Sequence, residues 1–549
     1  MASKKQIIPI LLLTAIQASA APAPQASSGA QPTSFTANPN VGPGGASYKD
    51  SDHFRLYSSD QSNADAVLTM LEAAYSCYVG DLGWTTSGIP YNADPSTVTT
   101  LWKENVYEVN DLGSAAGVQK SDPNTGLSWL EVVPSSLADP RVTVHEYGHA
   151  LTYHSRNWVD QTATGAWWET VANWVADTFS TSPLCAKARS NYNQPTGDTM
   201  IELNKVIGDS FQVIVDGSTG SGNYYQAWPF LTYLTNNPDN YAGLGSDVVR
   251  QLFQQYEKGS NETPLHTLAR ISTAASVQEI VGRYWARMAY VDIGHTIAQK
   301  AFLNQRNRLN YANVDPQGDG TYVVKSSRKP QYMGANILPL SNAGAGNLQV
   351  SITSNGVFSA TLAIRNTNTG AVRYVSLENG SGAAVMTGNE EASVVIANTP
   401  KTLYEYDAFK LTQEVQQGLD YTIKISGATV QGTAESTSTT GSTTGFSWKH
   451  SQYNKQLKFQ IKPAMCYYLK DVYSCGCSER GPIIQCPIRR GTNTKCARLG
   501  VQQPRAINNY CPNHLVGPAA TVTYDQGGGG DGEQAEGQDG QGGQEDGEE

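Results

Sequence analysis

The spacing of apolar residues changes once along this chain of 549 residues, and that change limits the folds it can adopt. Before about residue 330, many segments place apolar side chains at intervals of three and four, the spacing of a helix with one buried face. Between 336 and about 430 the interval becomes two, which is typical of strands in a half-buried sheet. The pattern therefore predicts an α+β domain at 47–330 and a β-sandwich domain at 336–430.

Within these two regions the same spacing predicts individual elements. The first domain is expected to mix a strand at 53–57, a helix at 65–78 and an extended segment at 127–133 with a mainly helical second half. Its later helices are expected at 199–206, 247–256, 276–290 and 296–307. The strands of the sandwich are expected at 347–352, 358–364, 373–377, 393–397 and 421–426.

The ends of the chain differ in composition from these two regions. Residues 1–20 have the features of an export signal, with lysines before a short apolar run and small residues at its end, and 21–46 is expected to be a flexible lead-in. Residues 434–445 resemble a Ser/Thr linker, and the tail 525–549 is acidic and expected to be disordered. No later apolar run is long enough to span a membrane, so we expect a secreted, extracellular protein.

The cysteines indicate where disulfides form. Cys77 and Cys185 stand far from the other six, which all lie between 466 and 511. Because an even number of cysteines in an exported chain favours disulfides, we expect one bridge between Cys77 and Cys185 and three in the last module. Residues 446–516 are therefore predicted to form a small disulfide-rich module, with fifteen possible pairings of its six cysteines.

Charge narrows the range of partners. The formal net charge of −10 argues against nucleic acid as a partner of the whole chain. The module at 446–516 is nevertheless strongly basic, and we expect it to attract an anionic partner, either an anionic polysaccharide or the acidic tail of the same chain. Two sequons, at Asn261 and Asn379, predict N-glycosylation if they are exposed during secretion.

The most specific motif is His145-Glu146-Tyr147-Gly148-His149. Two histidines four residues apart lie on one face of a helix, where their imidazoles can hold a zinc ion together. Asp139 and Pro140 predict that this helix starts just before the motif. A helix with two merely structural histidines is the alternative.

A catalytic zinc site normally needs a third protein ligand, and Glu169 is the candidate. It lies near the start of a helix predicted at 167–179, where Asn173 follows it by four residues on the same face. Asn173 is placed to accept the N–H of a ligating histidine. The alternative for Glu169 is a carboxylate near a helix N-terminus that interacts with the helix dipole.

The histidine motif, followed by Trp167-Trp168-Glu169, resembles the gluzincins, the thermolysin-like zinc metallopeptidases. It is also similar to a set of uncharacterised secreted fungal proteins with the same two motifs. The resemblance covers about 47–330 and implies a Zn²⁺ ion bound by His145, His149 and Glu169, with Glu146 as the general base. Asn173 departs from the family, which has an aspartate four residues after the glutamate ligand.

The resemblance also implies a residue that stabilises the oxyanion, and Tyr224 is the first choice by its spacing. Tyr225, His266 and His295 are alternatives, and a packing role is equally open for each of them. The segment 127–133 is either the edge strand that gluzincins pair with substrate or an ordinary core strand. His154 lies off the face of the two ligands and is expected to be structural.

Taken together, the sequence predicts a secreted zinc-dependent peptidase that hydrolyses protein or peptide substrates. The alternative from another class is a catalytically inactive, metallopeptidase-like protein that binds cell-wall or host polysaccharide. A zinc hydrolase acting on a glycopeptide or another amide would use the same site. Only cleavage specificity would distinguish this last possibility from the first.

Overall fold

The computed structural model describes residues 34–158, 161–341 and 343–432, together with the backbone of three strands between 467 and 507. The chain divides into two compact units, Met1–Tyr453 and Asn454–Glu549. The expected signal at 1–20, the linker at 434–445, the acidic tail and the six C-terminal cysteines lie outside the described residues. The fold is mixed α and β with several sheets, as the sequence predicts.

The first sheet of the Met1–Tyr453 unit is mixed and has five strands in the order β2-β3-β5-β7-β6. Strands β3, β5 and β7 are parallel, whereas β2 and β6 pair antiparallel at the two edges. A further pair, β1 with β4, lies outside this sheet. The strands are β1 Phe35–Thr36, β2 Tyr48–Asp50, β3 Phe54–Tyr57, β4 Leu101–Trp102, β5 Glu104–Glu108, β6 Gly117–Asp122 and β7 Leu127–Val132.

This topology decides the open question about residues 127–133. Strand β7 lies between β5 and β6, so it is a core strand and the edge-strand interpretation is wrong. The edge beside it is β6, which sequence spacing did not single out.

The described part of the lead-in is anchored rather than flexible. Val41 is buried, and its carbonyl oxygen accepts hydrogen bonds from the Asn105 side-chain amide and the Tyr107 hydroxyl. The Phe35 ring packs edge-on against His53. The expected flexibility of 21–46 therefore fails for residues 35–41, because side chains of the following domain bind their backbone.

Helices form the rest of the first region. Helix α1 continues into a π-helical turn, Ser76–Asp81. The helices are α1 Ala64–Tyr75, α2 Pro140–His154, α3 Gln161–Thr181, α4 Ala186–Asn191, α5 Leu203–Val206, α6 Asn223–Gln226, α7 Trp228–Asn236, α8 Val248–Gln254, α9 Pro264–Ile271, α10 Val277–Met288 and α11 Thr296–Gln305.

The disulfide between Cys77 and Cys185 connects this π-helical turn to the segment that follows α3. Both cysteines are buried in the main core. This confirms the bridge expected in the first domain. Within the described part of the chain no other disulfide occurs, and the three expected in the C-terminal module fall on residues that are not described.

The second region is a sandwich of two five-stranded sheets, β13-β12-β15-β10-β17 and β14-β11-β16-β9-β8. Side chains from both sheets share one hydrophobic core. The elements are β8 Val314–Gly318, β9 Thr321–Val324, β10 Ala335–Ser341, β11 Gly346–Ser354, β12 Phe358–Asn366, β13 Val372–Ser376, β14 Ser381–Met386, β15 Glu390–Asn398, α12 Gln413–Gln416, β16 Tyr421–Ser426 and β17 Thr429–Val430. The hairpin β8–β9 belongs to this sandwich, although the sequence placed those residues in the preceding domain.

The sandwich and the helical region are parts of one compact unit. Helix α10 packs on β12 and β15, and residues 392–398 of β15 are buried on both faces of the sheet. Strand residues such as Val395 and Ala397 therefore belong to the core that also includes the helices. Burial on both sides explains why this strand is a continuous apolar run rather than an alternating one.

The second unit is described only as a three-stranded backbone sheet. Strand β18 (Tyr467–Tyr473) pairs antiparallel with β19 (Ser478–Ile484) and parallel with β20 (Gln503–Ile507). Among the residues that the structure describes, no helix combines the length and apolarity that crossing a bilayer requires. The two sequon asparagines, Asn261 and Asn379, are exposed.

Candidate metal centre

Helix α2 carries the histidine motif in the setting that the sequence predicts. The Asp139 side chain caps the helix by accepting the backbone N–H of Arg141, and Pro140 occupies the first turn. The helix is buried along most of its length, including both His145 and Glu146. A buried histidine and a buried glutamate are costly unless they have partners, so this helix points to a functional or tightly bonded polar cluster.

Gly148 allows the next helix to approach α2 closely. A Cβ on this glycine would lie 3.0 Å from Ala172 Cα and 3.1 Å from Val175 Cβ, both on α3. Because such distances are shorter than ordinary van der Waals contacts, a larger residue would push the helices apart. The glycine inside the motif therefore positions α3 against the two histidines.

The three expected ligands meet at this contact. His145 Nε2 and His149 Nε2 lie 3.1 Å apart, and Glu169 Oε2 lies 3.3 Å from the first and 3.4 Å from the second. They form the group of His, Cys, Asp or Glu side chains that could hold a metal ion among the described residues.

These distances fit zinc. Bonds of about 2.0–2.2 Å in a tetrahedral arrangement place neighbouring ligand atoms about 3.3–3.6 Å apart. Two imidazole lone pairs and a carboxylate oxygen that point at the same place repel one another. A cation between them removes this repulsion. The donor set of two histidines and one glutamate is also one that catalytic zinc uses, with a fourth position left for water or substrate.

Asn173 orients one of the ligands. Its Oδ1 lies 2.8 Å from His145 Nδ1, and its Nδ2 donates to the carbonyl oxygen of Tyr225 at 2.6 Å. Because the amide nitrogen is used by Tyr225, the oxygen must face the imidazole and accept its N–H. His145 Nε2 therefore presents its lone pair toward His149 and Glu169, as a metal ligand must.

Glu169 does not lie at a helix N-terminus. Helix α3 begins at Gln161, six residues earlier than predicted, so Glu169 lies in its third turn. The helix-dipole alternative is therefore wrong, since that effect is confined to the first turn. Burial alone would raise the pKa of Glu169, but attraction to His149 and hydrogen bonding with the two histidines outweigh burial and lower it.

Glu146 is held beside the triad but does not belong to it. It is 6% exposed, and a Cβ on Gly117 of β6 would lie 2.9 Å from its Oε1, so only glycine leaves room for the carboxylate there. The backbone of Gln119, on the same strand, lies near enough to the carboxylate to influence its pKa. Burial raises the pKa of Glu146 to about 7, with Glu169 adding to the rise and His145 and Gln119 opposing it.

The tyrosines expected near the site lie on α6, which is tied to α3. The Thr170 hydroxyl donates to the Tyr224 carbonyl oxygen at 2.6 Å, and Asn173 binds the next carbonyl in the same way. The ring centroids of Tyr224 and Tyr225 are 4.5 Å apart.

The two tyrosines respond differently to the carboxylates. Burial raises the pKa of both, and Glu169 raises both further. Only the pKa of Tyr225 is also raised by Glu146. Both tyrosines therefore lie within the electrostatic influence of Glu169, and both remain candidates for the oxyanion donor.

The remaining histidines have structural partners. His154 bonds to the Ile89 carbonyl oxygen and the Ser128 hydroxyl, as expected for a structural residue. His295 bonds to Asp177 at 2.7 Å and caps α11. His266 completes a capping box with Thr263 at the start of α9. Both ring nitrogens of His295 and Nδ1 of His266 are bonded within local structure, which favours the two tyrosines over either histidine as the oxyanion donor.

Several residues of the site were not found from sequence spacing. Gly117 and Gln119 come from an edge strand whose position depends on sheet order, so no local pattern could identify them. Gly148 did carry a signal, because a glycine inside a helix costs about 1 kcal/mol relative to alanine and often marks close packing.

Comparison with known proteins places the chain in a family. The sequence model described as "Family of unknown function (DUF6055)" matches residues 48–432. The match spans both the helical region and the sandwich, in agreement with the single compact unit that contains them. No curated protein matched the chain. Since the matched range is well over half of the sequence, the chain belongs to the DUF6055 family, whose function is unknown.

Proposed function

We propose that this protein is a secreted zinc-dependent peptidase with a gluzincin-like catalytic site. One observation supports the proposal above all others: His145, His149 and Glu169 meet at zinc-ligand distances with the carboxylate of Glu146 beside them. A structural zinc normally has four protein ligands, whereas three ligands leave one position for water or substrate. The neighbouring carboxylate is what hydrolysis additionally needs.

Zinc bound to these three side chains would supply a Lewis acid that makes a water more acidic and polarises the substrate carbonyl. Glu146 then acts as the general base: its carboxylate takes the proton of the attacking water and passes it to the leaving amine. Its raised pKa suits both transfers, because a group that titrates near neutral pH can accept and release a proton.

The remaining residues orient and stabilise the reacting groups. Asn173 keeps His145 in the tautomer that binds metal. Tyr224 or Tyr225 would donate its hydroxyl hydrogen to the oxyanion. Such a donor is worth about 10²–10³ in rate when it is preorganised.

Strand β6 supports a peptide as the substrate. It is an edge strand of the first sheet, and it passes directly beside Glu146. An extended peptide can add to such an edge through backbone hydrogen bonds, which would hold a scissile bond next to the catalytic carboxylate.

The direct test compares wild type with Glu146→Gln and with Glu257→Gln, the same change at an exposed glutamate. We expect one zinc per molecule in all three proteins and chelator-sensitive cleavage of a peptide library in wild type and the control. Glu146→Gln should lose about 10²–10⁴ of the rate. Folded wild type that binds no zinc would refute the proposal. Zinc without cleavage would favour a polysaccharide-binding protein or an unusual amide substrate.

A further inference from the structure

One connection between strands of the sandwich lies near the candidate metal centre. Residues 399–420 connect β15 to β16, and this connection lies against the segment that precedes α6. The Gly217 N–H donates to the Ala408 carbonyl oxygen at 2.9 Å, and the Tyr406 hydroxyl donates to the Val215 carbonyl oxygen at 3.2 Å. Tyr406 and Ala408 are both buried, so the connection is firmly anchored.

Phe409 contrasts with these anchors. It follows Ala408 directly, yet 48% of it is exposed. Its backbone N–H donates to Asp407 Oδ1 at 2.9 Å, which fixes the turn that presents the ring. A large apolar ring held half exposed on an anchored backbone retains apolar area that a ligand can still bury.

The ring lies close to the metal-binding face of α3. A Cβ on Gly217 would be 2.8 Å from Phe409 Cδ1 and 2.9 Å from Ala166 Cβ, so both atoms border the same point. Ala166 precedes Glu169 by three residues, which places the two on one face about one helical turn apart. Phe409 therefore approaches α3 about one helical turn before Glu169, a proposed zinc ligand.

Aromatic rings connect Phe409 to the site. Its ring centroid is 6.1 Å from that of Tyr224, which lies 4.5 Å from Tyr225. The side chain of Glu169 is 25% exposed and that of His149 is 14% exposed, so solvent reaches the triad from their side. The rings of Phe409, Tyr224 and Tyr225 thus form a continuous row.

We propose that the connection 399–420 forms one wall of the substrate cleft and that Phe409 on it contacts a large apolar side chain of the substrate. This inference rests on the proposed peptidase function and adds to it a role for the sandwich. Only Phe409 of this segment combines a fixed backbone with a half-exposed ring beside the site. A peptide carrying an aromatic or long aliphatic residue matches that surface chemically.

The first measurement is cleavage of peptide pairs that differ only by Phe or Ala at one position, scanned along the peptide. For wild type, Phe409→Ala, Phe409→Leu and Val385→Ala, kcat and KM are determined separately. Val385 is a matched control because it is exposed on β14. We expect Phe409→Ala to lose about tenfold in kcat/KM, through KM, for the apolar peptides only. Phe409→Leu should retain most of the preference, and zinc content should not change.

An equal loss for both members of each pair, or no loss, would overturn the inference and leave Phe409 as an ordinary loop residue. Binding separates this outcome from a failure of the peptidase proposal. Fluorescein-labelled peptides of the same pairs are titrated against zinc-loaded Glu146→Gln, with and without Phe409→Ala. A preference for the Phe peptide that disappears with Phe409→Ala supports the apolar contact even if wild type cleaves none of the peptides. Equal affinities for both peptides in Glu146→Gln would overturn it even if cleavage is observed.

Discussion

Helix α2 contributes to two histidine–carboxylate clusters that differ in how their polar atoms are satisfied. Near its middle, His145 and His149 face Glu169 at 3.3–3.4 Å. At its end, His154 reaches Glu104 through the Ser128 hydroxyl, with distances of 2.9 and 2.7 Å.

In the second cluster a proton completes the hydrogen bonds. His154 Nδ1 donates to the Ile89 carbonyl oxygen, so its Nε2 accepts from Ser128. Ser128 Oγ lies 2.7 Å from Glu104 Oε1: an ionised Glu104 accepts the Ser128 hydroxyl, whereas a protonated Glu104 donates to Ser128 and leaves that hydroxyl free to donate to His154. Burial raises the pKa of Glu104 to about 7 against the opposing hydrogen bonds from Ser128 and Ser87, and it lowers the pKa of His154 to about 4, so a proton in this cluster resides on Glu104 rather than on His154.

The cluster of His145, His149 and Glu169 has a different arrangement. Asn173 uses the N–H of His145, and the opposite nitrogen faces a second histidine and a carboxylate. A metal ion there would satisfy the lone pairs of the three side chains, as the proton satisfies those of the second cluster. A histidine beside a carboxylate therefore indicates a ligand site only under one condition. Its hydrogen bonds must leave a nitrogen lone pair that points to the same place as the lone pairs of the neighbouring side chains.

Matched substitutions of the two histidines give the largest expected difference. His149→Asn should weaken zinc binding by on the order of 10³-fold while the metal-free protein keeps its stability. His154→Asn should keep zinc but lose about 1–3 kcal/mol of unfolding free energy, because Ser128 and Ile89 would lose a buried partner. Zinc competition assays and urea unfolding measure the two effects. Equal loss of zinc in both variants would break the comparison.

The substitution Glu104→Gln removes the ionisable group from the second cluster, so the pH dependence of its stability should disappear. The pKa of Glu104 rises from about 4.5 unfolded to about 7 folded, so its stabilising contribution is full below pH 4.5 and lost as pH rises through 7. Glutamine keeps a donor toward Ser128 without a charge. The variant should therefore gain about 3 kcal/mol relative to wild type at pH 8.5 and much less at pH 4.5. If the unfolding free energies of wild type and variant differed by the same amount at both pH values, the protonation of Glu104 in the folded protein would be contradicted.

Asn173 tests the cluster of His145, His149 and Glu169 with the smallest expected effect. Asn173→Ala should weaken zinc binding by about 10–100-fold, because the His145 ring loses the partner that fixes its tautomer. Asn173→Asp keeps an acceptor for the same N–H and should weaken binding by less than about tenfold. Calorimetric titration with zinc measures both. Full affinity in the alanine variant would show that the amide does not orient the ligand.

Local patterns predicted most elements but not all of their limits. Spacing identified α2, α10 and the sandwich strands because the periods of 3.6 and 2 are properties of short segments. It placed the start of α3 six residues too late and missed the hairpin β8–β9, whose Gly- and Asp-rich sequence resembles a loop. These limits depend on what the segments pack against.

The sequence alone determined that His145 and His149 share one helical face, because that arrangement follows from four residues of helix geometry. Which other groups reach them was decided by the tertiary structure: the close contact at Gly148 brings Glu169 in from α3. Sheet order likewise placed β6, rather than β7, beside Glu146. A helix period is encoded within a few residues, whereas the packing of two helices and the order of strands depend on contacts between distant parts of the chain.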